Sequence, residues 1–253
     1  MNSSQLNRFI NKYHLGGEIK SVKWSSDGNS LTTRFISGDK SVLGEVKLDK
    51  FDGVQASDLG VYNTPQLASL LNILSEDVEF KLTNAGDKFI SIDMVDQRYK
   101  TTSKYMLSDL SVIPTVPDLR NLPSEYELEV NVDSYFINTF IAGKGALPET
   151  DTFTVVAKND KVNVVIGYSG QASNRVTIPV EVNEFKDIDP VSFNANMFSN
   201  ILTANKECET ATLKISSAGL SKINFKIDDY TSEYYLVCLL YTSPSPRDAT
   251  LSR

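Results

Sequence analysis

The chain has 253 residues, 41% hydrophobic and 23% charged, which suits one large or two ordinary cores and excludes a protein disordered throughout. Its 25 basic and 32 acidic side chains leave a net charge of -7, so it cannot coat nucleic acid through its whole surface, and any such contact is confined to one face. Two cysteines, Cys208 and Cys238, support neither a disulfide framework nor a thiolate metal site, and no basic leader or long apolar run occurs; a cytoplasmic protein without a membrane contact is expected.

In chain order, Leu6, Phe9, Ile10 and Tyr13 fall at helical spacing from Ser3 to His14, and Gly16-Gly17 stops that helix. Alternating runs then predict strands at Ile19 to Trp24, Ser30 to Ser37 and Ser41 to Leu48, parted by Asp27-Gly28-Asn29 and Gly38-Asp39 turns. A second helix is predicted over Thr64 to Leu74, with Asn63 as its cap, Pro65 in its first turn and Leu67, Leu70, Leu71 and Leu74 as its stripe. Strands follow at Val78 to Thr83, Lys88 to Val95 and Tyr99 to Leu107. Pro114, Pro117 and Pro123 break the pattern between Ser108 and Ser124, which reads as a linker.

The same order then recurs. A strand at Glu127 to Val132 leads into a helix over Asp133 to Lys144; strands follow at Thr152 to Ala157, Val162 to Tyr168 and Arg175 to Val182. The last helix runs from Asn194 to Lys206 on Met197, Phe198, Ile201 and Leu202, before strands at Thr210 to Ser216, Lys222 to Ile227 and Ser232 to Val237. The expected organisation is α+β, with repeated domains at residues 1–107 and 125–237 joined by a connector at 108–124. From Cys238 to Arg253 the composition turns to Ser, Pro and Arg without period; residues 238–253 are expected to be a non-native tail resembling translated adapter sequence, the alternative being an ordinary disordered one.

No catalytic constellation emerges. The single histidine, His14, sits at a helix end, Gly143-Lys144-Gly145-Ala146-Leu147-Pro148 carries a proline where a dinucleotide fingerprint needs glycine, and no phosphate-cradling or calcium loop is present. The expectation is a protein that is not an enzyme and takes no cofactor or metal. Taken over Ser3 to His14, Thr64 to Leu74, Ser134 to Lys144 and Ala195 to Lys206, the four helices, in contrast, contain no Asp or Glu, where an even spread would put roughly six. Their cations are Arg8, Lys12, Lys144 and Lys206, and Arg8 and Lys12 lie one turn apart, which suits a polyanion touched through its phosphates without base readout.

A doubled helix, strands, helix, strands unit with a proline-bearing connector and acid-free helices resembles the processivity clamp family of DNA replication, and within it the clamps of tailed phages. The resemblance is carried by the Asp58-Leu59-Gly60-Val61-Tyr62 strand leading into Leu67 to Leu74, by the connector, and by Met197 to Lys206 with its following hairpins. It implies two clamp-like domains, each with antiparallel sheets outside and two helices on the inner face. It also implies a ring-shaped homotrimer that encircles duplex DNA irrespective of sequence and tethers the replicative polymerase, in the host cytoplasm if viral. The matching DNA-facing residues are Arg8, Lys12, Lys144 and Lys206. Edge strands carrying Tyr99 and Tyr105 on one subunit and Arg175 and Ile178 on the next would join the ring, and Val112, Ile113 and Val116 would rim a pocket for clients, the polymerase and the clamp loader. A non-enzymatic phage structural or assembly protein built of β domains is the competing expectation, although it gives no reason to keep acid off every helix.

Overall fold

A computed structural model describes residues 3–119, 122, 125–158, 161–169, 174–182, 185 and 187–239. The first half runs α1 (Ser3–His14), β1 (Val22–Ser26), β2 (Leu31–Ile36), β3 (Val42–Leu48), β4 (Ser57–Val61), α2 (Thr64–Asn72), β5 (Val78–Ala85), β6 (Lys88–Asp96) and β7 (Thr102–Met106). The second runs β8 (Leu128–Asp133), α3 (Ser134–Ala146), β9 (Thr152–Lys158), β10 (Lys161–Ile166), β11 (Val176–Val180), β12 (Ile188–Asn194), α4 (Ala195–Ala204), β13 (Thr210–Ser216), β14 (Leu220–Ile227) and β15 (Tyr230–Val237).

Each helix after the first starts where a short polar side chain replaces the missing intrahelical acceptor. Asn63 accepts from Gln66 N at 3.2 Å, Asp133 from Phe136 N at 2.7 Å and Asn194 from Met197 N at 3.0 Å. The apolar stripes face inward: Leu6, Phe9, Ile10 and Tyr13 of α1 are buried, with Phe9 and Tyr13 meeting Trp24 of β1 edge to face. In the second half Phe140 and Phe198 bring α3 and α4 together over Phe153, at centroid separations of 4.9 and 4.8 Å from Phe198 to the other two.

Among the described residues three antiparallel sheets result. The largest has the order β4-β1-β2-β3-β15-β14-β13-β8, flanked by β11-β10-β9-β12 and by β5-β6-β7. The β3 to β15 ladder, from Tyr230 opposite Leu48 to Leu236 opposite Val42, makes the two halves share one sheet, and a single apolar core crosses the junction. The helices form a layer in which α2 touches α1, α1 touches α4 and α4 touches α3. Strand alternation separates two faces of the large sheet: Phe35, Val46 and Tyr234 belong to the main core with the helices, whereas Ile36, Leu43 and Tyr235 form a second cluster under Val116, Leu119 and Leu122 of the connector. The connector therefore lies on the face away from the helices.

One strand departs from the sequence expectation. β12 is absent from it because Asp187, Asp189 and Pro190 resemble a loop. The strand tolerates Pro190 by lying at the sheet's edge, with a register shift between Ile188 and Val191. Cys238 and Leu239, expected to begin the non-native tail, donate backbone hydrogen bonds to Gly219 and Ser192; the rest of that tail lies outside the described residues.

Candidate nucleic-acid interface

Within their observed bounds the four helices still contain no acid, and their outward positions are mostly amides and hydroxyls: Asn11, Gln66, Ser69, Asn138, Asn196 and Thr203 are all exposed. A groove of about 380 Å³ runs between α1 and α4, bordered by Arg8, Asn11, Asn200, Thr203 and Lys206. It is the place on the helix layer where the two remaining surface cations converge.

The four cations expected to meet phosphate do not share one fate. Lys12 is buried, at 1% exposure, and its ammonium donates to Ala204 O at 3.1 Å and Asn205 Oδ1 at 3.2 Å and pairs with Glu207 Oε1 at 3.1 Å. Burial pushes its pKa down, opposed by Glu207. It closes the C-terminus of α4, where free carbonyls favour a cation, and this corrects its assignment as a surface contact. Lys144 is corrected in the same way: it is buried and donates to Leu147 O at 3.4 Å and Pro148 O at 2.9 Å, capping its own helix. Helical spacing tells which way a lysine leaves the backbone but not what the next element lays over it.

Arg8 and Lys206 do reach the surface. Arg8 lies 4.7 Å above the Tyr230 ring, with Nη2 3.3 Å from Glu207 Oε1 and 3.0 Å from Asp228 Oδ2. These carboxylates hold its pKa above the ordinary value even against desolvation, which alone would lower it. Lys206, expected on the last helix, lies two residues past the observed end of α4; it is exposed and makes no ion pair among the described residues. The sequence pattern missed Glu207 and Asp228, which come from just beyond α4 and from the β14–β15 turn and make the groove nearly neutral where a positive face was expected.

On the opposite face, a pocket of about 520 Å³ opens between the connector and the outer surface of β1, β2 and β3. Ile113 and Val116 line it, with Lys23 and Arg34 on its floor; Val112 is 55% exposed and lies outside that lining. The residues expected at a subunit junction divide by exposure. β7 and β11 are both edge strands. Tyr99 is exposed in the turn before β7 and Arg175 is exposed just ahead of β11. The side chains of Tyr105 and Ile178 are buried, Tyr105 Oη accepting from Asn63 N at 2.9 Å, so those two offer the edge only their backbones.

Comparison with solved structures places this architecture. The chain superimposes on a crystal structure of proliferating cellular nuclear antigen from Entamoeba histolytica with a TM-score of 0.70, covering 94% of this chain and 96% of that one. The fold is that of a sliding clamp. At 15% identity the likeness speaks to the clamp fold, with its two domains of antiparallel sheets and few helices, and does not point to the tailed-phage type. No protein-family model matches the sequence, and a search of curated proteins finds no match. No helix is long and apolar enough to cross a membrane among the described residues.

Proposed function

We propose that the chain is a DNA sliding clamp, a non-enzymatic processivity factor whose subunits close into a homotrimeric ring around duplex DNA and tether the replicative polymerase. The observation that carries this reading is the helix layer: four acid-free helices side by side, surfaced with amides and hydroxyls, on a chain of net charge -7 that otherwise displays its acids freely. A sliding protein must exchange phosphate contacts with little barrier, which favours hydrogen-bonding groups and a few screened charges over a tight interface. Arg8 and Lys206 are the phosphate contacts in this proposal, and retention comes from closure of the ring.

The two domains are residues 1–107 and 125–237, with 108–124 as the connector. The ring closes by β7 of one subunit pairing with β11 of the next, an arrangement that open antiparallel edges allow. Polymerase and clamp loader insert an apolar segment at the connector pocket beside Ile113 and Val116, with the exposed Val112 at its entrance. The tailed-phage type, and action in the host cytoplasm, remain part of the proposal on the strength of the helix and connector features alone.

The test is mass in solution by light scattering, followed by retention on DNA. One chain is 28.0 kDa, so a closed trimer is expected at about 84 kDa. It should stay on circular DNA and run off linear DNA after loading. A stable monomer at micromolar concentration would overturn the ring, and equal loss from circular and linear DNA would favour an assembly protein of β domains.

A further inference from the structure

The groove between α1 and α4 carries a charge arrangement that a simple phosphate-binding face does not need. Arg8 Nη2 contacts Asp228 at 3.0 Å and Glu207 at 3.3 Å, and the Tyr230 ring supports the guanidinium from below. Glu207 also pairs with the buried Lys12 at 3.1 Å. Two cations thus face two carboxylates and sum to zero, leaving Lys206 as the uncompensated charge of the groove among the described residues. The neighbouring acid, Asp229, is occupied elsewhere by Lys50 at 2.8 Å, so the adjacent acids of this turn serve separate partners.

We infer that Asp228, with Glu207, is a brake on Arg8 that sets how loosely the helix face holds duplex phosphates. The inference rests on the proposal that this face meets DNA. Of the guanidinium's five N–H donors, those on Nη2 serve the carboxylates, so a phosphate can approach the others. It does so against two negative charges already in contact with the same group, and part of the attraction is cancelled before it arrives. Glu207 is locked in place by Lys12, whereas Asp228 is 69% exposed and held by a surface ion pair alone, so Asp228 is the adjustable member. Its backbone has φ 51°, a left-handed turn position in which asparagine is tolerated as well as aspartate, so Asp228→Asn removes the charge with the turn intact.

The experiment measures binding of the full chain to a labelled duplex of mixed sequence, by fluorescence anisotropy between about 50 and 200 mM salt. Asp228→Asn is expected to tighten binding roughly two- to five-fold, on the scale of one exposed ion pair. It should also steepen the dependence of log K on log salt by up to about 0.9. Arg8→Gln is expected to weaken binding, and adding Asp228→Asn to it should change nothing further. Asp228→Gly, which also suits a left-handed turn, should reproduce the effect if asparagine disturbs the loop. If Arg8→Gln weakens binding while both Asp228 variants match the unaltered chain, the brake is wrong and the DNA-facing reading survives. If Arg8→Gln and Lys206→Gln both leave binding unchanged, the DNA-facing reading fails and the brake with it.

Discussion

At the scale of single residues, the helix cations separate by what removing them does. Lys12→Ala leaves Ala204 O without its side-chain donor and Asn205 Oδ1 and Glu207 with one partner fewer, Ser232 and Arg8 remaining, so the chain is expected to lose about 1 to 3 kcal/mol. Lys206→Gln should stay within about 0.5 kcal/mol, as an exposed side chain without an ion pair. Urea unfolding of both variants checks this, and equal stabilities would return Lys12 to the surface. Asp96 gives a pH-dependent counterpart. Its buried carboxylate accepts from the N–H groups of Tyr99, Ser75 and Arg98 and from the Ser75 hydroxyl, which hold its pKa down to about 2. The unfolded chain takes up the proton at higher pH than the folded one, so this support is complete above the ordinary carboxylate range and disappears as pH falls from about 4 through about 2. Asp96→Asn should therefore unfold at lower urea at neutral pH and show a shallower acid decline. Curves that stay parallel to those of the unaltered chain down to pH 2 would rule that out. Neither role was legible in sequence: a lysine at helical spacing and an aspartate before a turn look alike whether solvent or protein surrounds them.

Among elements, the helices were the most readable, because a buried stripe and a capping side chain are both local: Asn63, Leu67 and Leu71 stand within one short stretch and do what their spacing predicts. Strand partners were not readable in that way, since alternation names a face and not a neighbour. The β3 to β15 ladder shows the difference. Gly44 stands opposite Tyr234 there, and the Phe35 ring packs so closely over its Cα that an added methyl group would overlap the ring and crowd Glu233 O at 3.0 Å. Glycine is required for this close approach, not for its backbone angles. Gly44→Ala is expected to cost about 1 to 3 kcal/mol through overpacking at the joint between the halves. Thermal melts at matched concentration measure it. An unchanged midpoint would mean that Phe35 moves aside freely and that the ladder does not depend on this contact. β12 illustrates the opposite failure: a proline and two acids conceal a strand that the edge of a sheet can accommodate.

For the whole molecule, the doubled order of elements was visible in sequence, but the sharing of one sheet and one core was not. Repeated domains in series suggest two independent folding units, each unfolding at its own temperature. The structure argues otherwise, because β3 and β15 pair along their lengths, Tyr234 donates to Lys12 O at 2.7 Å, and Lys12 in turn closes α4. Opening either half exposes apolar surface of the other and strands the Lys12, Asn205 and Tyr234 polar groups, which are buried. The expected outcome in scanning calorimetry is therefore one transition whose calorimetric and van't Hoff enthalpies agree for the cooperative unit, where separate domains would give two. If the proposed ring forms, its midpoint also rises with protein concentration, since subunits bind the folded chain and not the unfolded one. Two resolved transitions would show that the shared sheet contributes too little to couple the halves. A single transition independent of concentration would keep the coupling and remove the ring.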